Sequence, residues 1–144
     1  MSNRSLTSDM LLKAYAAGVF PMAERRDDPE LYWVDPRMRG VLPLDGFHMS
    51  RSLARRMLRG SYRATLNKSF DAIVDGCADR DETWINASIR ELMRELYHKG
   101  HAHAFGIWHE NRLIGGMYGL SIGGEFFGES MYSRETDASK MALA

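Results

Sequence analysis

The chain has 144 residues, enough for one average domain or two small lobes. At 44% hydrophobic and 26% charged it is too apolar for disorder, and a formal net charge of zero gives no overall pull towards nucleic acid. A single cysteine, Cys77, excludes an intramolecular disulfide and most cysteine-based metal sites, and no apolar run approaches the ~18 residues that span a bilayer.

The first residues, "MSNRSLTSDM", lack the apolar stretch of a secretory signal, so a cytoplasmic protein is expected. Residues 7–18 read as a short helix, capped by Thr7 or Ser8, with Leu11, Leu12 and Tyr15 on its apolar face and Gly18 as its stop. Extended segments and turns are expected through "LYWVDPRMRGVLPL", where two prolines interrupt short apolar runs. Ser50 caps a helix over 51–59, and "SYRATL" alternates like a strand with Tyr62, Ala64 and Leu66 on one face.

A second helix buries Phe70, Ile73, Val74 and Cys77. A third starts at the cap Asn86, repeats Ile89, Leu92, Met93 and Leu96 at spacings of three and four, and stops at Gly100. Beyond Gly100 three strand-like runs are joined by tight turns at Glu110-Asn111 and Gly123-Gly124, followed by a helix from about Thr136. The reading is an α/β (α+β) chain. It has an N-terminal α+β lobe over residues 1–66 and a second domain over 67–144, where helices pack on an antiparallel three-strand meander.

Several residue sets could carry chemistry. Arg51, Arg55 and Arg59 fall on one helix face over ~12 Å, with Arg56 and Arg63 nearby and no acid between Arg51 and Arg63. That spacing suits successive phosphates, and a solvated helix face is the competing reading. Trp84 sits in a loop where it could stack on a base, Trp108 alternates inside a strand as a core residue would, and Trp33 suits either role. His101 and His103 give two of the three or four ligands zinc needs, with nothing to complete the set, so no metal is expected. Simple alternation would put Phe127, Glu129 and Met131 on one strand face. A carboxylate in such apolar company must be paired, hydrogen-bonded or shifted in pKa, whereas on a solvent face it would be idle.

Taken together, "LLKAYAAGVFP", "YWVDPR", "HMSRSLARR", "TWI" and the run from "GHAHAFGIWHENRLIGGMYGL" through "GEFFGESMYSRETDASKMAL" resemble the leucyl/phenylalanyl-tRNA–protein transferase family. The resemblance implies transfer of leucine, phenylalanine or methionine from aminoacyl-tRNA to proteins that begin with Arg or Lys, which marks them for N-end-rule degradation. It also implies a partial GNAT-like catalytic domain, no cofactor and a monomer. By resemblance Glu129 matches the active-site glutamate. Met117, Phe126, Trp84, Met22 and Trp33 match substrate-binding positions, and Arg51, Arg55 and Arg59 match the tRNA-gripping helix. Met22 stands where the family commonly has tryptophan. The family also continues beyond the last helix to a strand bearing Asp-x-Gln, so a truncated chain of weak or no activity is expected. A tRNA acceptor-end binding module without catalysis is the alternative. A CoA-dependent acyltransferase is disfavoured, because "SRETDAS" supplies no glycine-rich pyrophosphate loop before the last helix.

Overall fold

The computed structural model describes residues 5–144. Helix α1 (Ser8–Ala16) is capped by Thr7, whose hydroxyl accepts from the Met10 amide, and it buries Leu11 and Tyr15. Two short strands, β1 (Phe20–Met22) and β2 (Tyr32–Val34), pair antiparallel, with Pro21 opposite Trp33. Helix α2 (Arg51–Arg59) is capped by Ser50 and buries only Leu53. Strand β3 (Tyr62–Leu66) leads to α3 (Phe70–Ala78) and α4 (Ala87–His98), the latter capped by Asn86. Strands β4 (Ala102–His109), β5 (Arg112–Ile122) and β6 (Glu125–Ser133) follow, and α5 (Ala138–Leu143) closes the series.

The helices and turns answer to their sequence signals. Ile89, Leu92, Met93 and Leu96 are the buried residues of α4, and Phe70, Ile73, Val74 and Cys77 are buried in α3. Glu110 and Asn111 both take positive φ, as a two-residue hairpin turn demands, and so does Gly123 at the next turn. Helix α5 starts two residues later than the sequence suggests. Asp137 takes a left-handed φ of 68°, and the Ser133 hydroxyl receives the Ser139 amide at 2.8 Å.

The sheet is larger than a three-strand meander. Strand β3, assigned by sequence to the N-terminal lobe, pairs antiparallel with β4 and gives a four-stranded order β3-β4-β5-β6. Period-2 alternation reveals a strand but not its partner, so this pairing is invisible in the sequence. The main core likewise joins Leu11 and Tyr15 of α1 to residues of α3, α4 and the sheet.

Each face of the sheet has its own cover. Ala104, Tyr118 and Leu120 belong to the main core with α3 and α4. On the other face Ile107 and Ile114 form a smaller cluster with Leu53 of α2 and with Ala138 and Met141 of α5. Gly115 and Gly116 allow both layers to close on β5. A Cβ on Gly115 would meet Ala138, and one on Gly116 would come within 2.5 Å of the Phe105 carbonyl and 3.2 Å of Ile73. No helix among the described residues is long and apolar enough to cross a membrane.

Candidate active site

The decisive local feature is a β-bulge. Along β5 and β6, Met117 faces Met131, Tyr118 faces Ser130 and Gly119 faces Gly128, so Glu129 is the extra residue with no partner of its own. An extra residue reverses the alternation beyond it and twists the strand. Phe127 and Tyr132 therefore both pack towards the main core, while Met131 shares the opposite face with Met117. The expectation that Phe127, Glu129 and Met131 share a face is corrected here, because one inserted residue breaks the period of two.

The bulge turns Glu129 towards α1. Burial pushes its carboxyl up to about 7, and the Tyr15 hydroxyl and the Arg39 charge partly offset that rise. Tyr15 comes from α1 and is itself buried, packing edge-on to Phe127 at 5.6 Å. Arg39 belongs to the segment after β2. Its guanidinium lies 5.1 Å over the Phe20 ring and 6.0 Å over Phe127, within cation–π range.

The Tyr15 hydroxyl is directed at Glu129, and the Tyr118 hydroxyl is buried with no hydrogen-bond partner among the described residues. Burial raises the pKa of both phenols, and the Glu129 charge adds to the rise, so both stay protonated donors. An unmet buried donor costs about 1–3 kcal/mol, which marks Tyr118 as a group waiting for an acceptor. Next to them Cys77 is buried and its thiol is pushed up to about 11, chiefly by burial. It is a packing residue rather than a nucleophile at neutral pH.

The other sequence-derived candidates are dispersed. Met117 is buried on the sheet face opposite Glu129, and Phe126 packs edge-on to Phe105 there. Trp84 is half-buried against the main core rather than standing in an open loop. Its neighbours Thr83, Ile85 and Asn86 are all buried. Met22 pairs with Tyr32 at the end of the small sheet. Trp33 is 48% exposed and lines a separate cavity of about 790 Å³ with Met10, Leu92, Glu30, Glu91 and Glu95. His103 bridges Asn67 and Ser121 at 3.0 Å each, which accounts for it as a structural residue.

The arginines divide by role. Arg56 is held by Asp137 at 3.1 Å, whereas Arg51, Arg55 and Arg59 are exposed and make no ion pair among the described residues. Arg55, Arg56 and Arg59 line a shallow hollow of about 430 Å³ with Ser52 and Tyr62. Helix α2 packs on the sheet face opposite α3, so these charges are remote from Glu129. Sequence reading singled out Glu129 but missed Tyr118 and Arg39 as its neighbours and saw Tyr15 only as a core face. Tyrosine in a core position is the one signal that could have pointed there, since a buried phenol needs a partner.

A half-buried carboxylate near neutrality, between the Tyr15 hydroxyl and the unmet Tyr118 hydroxyl in an α+β fold, has the chemistry to hold a nucleophile by its hydrogens, as group-transfer enzymes do. Comparison with known proteins agrees with this class. A family model described as leucyl/phenylalanyl-tRNA protein transferase matches residues 41–144, and one for the N-terminal domain of that transferase matches residues 4–37. A leucyl/phenylalanyl-tRNA–protein transferase of Ruegeria sp. (strain TM1040) is 59% identical over 140 residues, 97% of this chain and 67% of its own. The protein of that name from Cereibacter sphaeroides (strain ATCC 17029 / ATH 2.4.9) is 56% identical over 144 residues, all of this chain and 67% of its own. The chain belongs to the leucyl/phenylalanyl-tRNA–protein transferase family and spans about two thirds of the length of these relatives.

Proposed function

We propose that this chain is an aminoacyltransferase that moves Leu, Phe or Met from aminoacyl-tRNA to the N-terminal Arg or Lys of a protein, marking it for degradation. It works as a cytoplasmic monomer and needs no cofactor. Family membership supports the reaction class, and the observation that carries the assignment of the site is the bulged Glu129 facing Tyr15.

The reaction is aminolysis of an ester. The acceptor's α-amino nitrogen attacks the aminoacyl carbonyl, a C–N bond forms, the ester C–O bond breaks, and the amine proton ends on the departing ribose oxygen. Ester activation supplies the driving force, so positioning and charge stabilisation are the protein's share. Glu129 is the catalytic residue: ionised, it accepts hydrogen bonds from the incoming amine and aims its lone pair. Arg39, over Phe20 and Phe127, bounds the approach to it. By family resemblance Met117, Phe126, Trp84, Met22 and Trp33 serve the aminoacyl and terminal-nucleotide portions, Met117 and Phe126 from the sheet face away from Glu129 and Trp33 from a separate cavity. Arg51, Arg55 and Arg59 grip the tRNA backbone by phosphate contacts.

Leucyl-, phenylalanyl- or methionyl-tRNA carrying a labelled amino acid, mixed with a peptide that starts with Arg, tests the reading. Label in the peptide supports it, and tRNA binding without transfer favours the alternative of an acceptor-end binding module. Arg51, Arg55 and Arg59, which make no ion pair among the described residues and sit on the sheet face away from Glu129, give that alternative its footing.

A further inference from the structure

Tyr118 is the least explicable residue of the core on packing grounds alone. It is fully buried at the centre of β5, packs edge-on to Phe70 at 6.2 Å, and keeps a hydroxyl without a partner among the described residues. Phenylalanine would fill the same space with no such penalty. The bulge supplies the missing reason. Because Glu129 is inserted beside Ser130, the residue opposite Tyr118, it is carried to the same side of the sheet as the phenol.

We propose that Tyr118 is a positioning residue for the transfer reaction, its hydroxyl donating to the Glu129 carboxylate from beneath the strand once an acceptor amine draws that carboxylate into its ionised form. The inference rests on the reading of Glu129 as the amine-holding group. Tyr118 has no exposed surface through which to touch a substrate, so it acts through Glu129. With Tyr15 donating from α1, the carboxylate oxygens are steered from two elements and the amine is presented in one direction. The groups that face this centre are Tyr15 from α1, Arg39 from the segment after β2, Tyr118 from β5, Cys77 from α3 and Arg80 from the loop after α3.

The test is Tyr118→Phe in the full chain, which removes one oxygen and leaves the ring. The thermal midpoint should be unchanged or higher, because an unmet buried hydroxyl is deleted. Transfer should lose on the order of tenfold in kcat with little change in KM. Its acid limb should move to higher pH, since losing a donor to the charged form raises the carboxyl pKa. The titration of Glu129, followed by carbon NMR of labelled glutamate, should move upward in parallel when an Arg-starting peptide is present. A superimposable pH profile and an unchanged kcat would overturn the proposal, and so would a Glu129 titration identical in both proteins. If the unsubstituted chain transfers nothing, that outcome bears on the transferase reading alone, and the Glu129 titration still decides the role of Tyr118.

Discussion

The Nε of Arg56 lies 3.1 Å from the Asp137 carboxylate, so one arginine of α2 is spent on holding the helix against the start of α5. Its neighbours Arg51, Arg55 and Arg59 have no such partner among the described residues. Opposite phenotypes follow. Arg56→Ala should lower stability by about 0.5–1 kcal/mol in a urea melt, a small loss because the arginine is partly solvated. Arg51→Ala with Arg55→Ala should leave the melt unchanged while weakening tRNA binding and reducing the steepness of its salt dependence. Equal affinity and equal salt slope would show that the exposed face is merely solvated.

Glu129 should make stability pH-dependent in an unusual direction. Its folded pKa is about 7 against an ordinary 4.5. A raised carboxyl contributes stability fully below the unfolded value, and that contribution is lost as pH rises through 7. Glu129→Gln should therefore be more stable than the parent at pH 8, by on the order of 2 kcal/mol, and little different at pH 4. Paired denaturant curves at the two pH values measure this. Transfer by the same variant should fall by about two orders of magnitude.

Gly119 faces β6 with no room for a side chain. A Cβ there would collide with the Phe127 carbonyl oxygen and with the Phe126 ring. Gly119→Ala should cost about 1–3 kcal/mol by overpacking, and transfer should fall with it because the bulge begins at this pair. A melt indistinguishable from the parent would mean the two strands can part without penalty.

Cys77 has no exposed surface and a thiol pushed up to about 11. It should not react with a colorimetric thiol reagent at pH 8 in the native protein, and it should react fully in urea. Blocking it should be possible only after unfolding, and alkylation should then hinder refolding.

The parts of this architecture that were legible in the sequence are those set by local rules. The three-and-four spacing of Ile89, Leu92, Met93 and Leu96 gives α4 because a helix turns every 3.6 residues. Glu110-Asn111 gives a hairpin because two residues must take left-handed φ. What escaped depends on other strands. No feature of "SYRATL" names β4 as its partner, and no feature of "GEFFGESMYS" says that one residue there is supernumerary. Glu129 could be picked out by its apolar company and by family resemblance, but its orientation came only with the register. Tyr118 and Arg39 were unreadable as its neighbours because sheet pairing and a long loop bring them there.

The bulge makes the site a matter of counting as much as of residue identity. Removing Gly128 would let β6 run regularly against β5, with Glu129 taking the place opposite Gly119. The carboxylate would then project from the face that carries Met117 and Met131, away from Tyr15 and Tyr118, although every chemically active side chain would still be present. A single-codon deletion would thus act as an inversion of the site, and a substitution scan, which never changes strand length, would leave that vulnerability hidden.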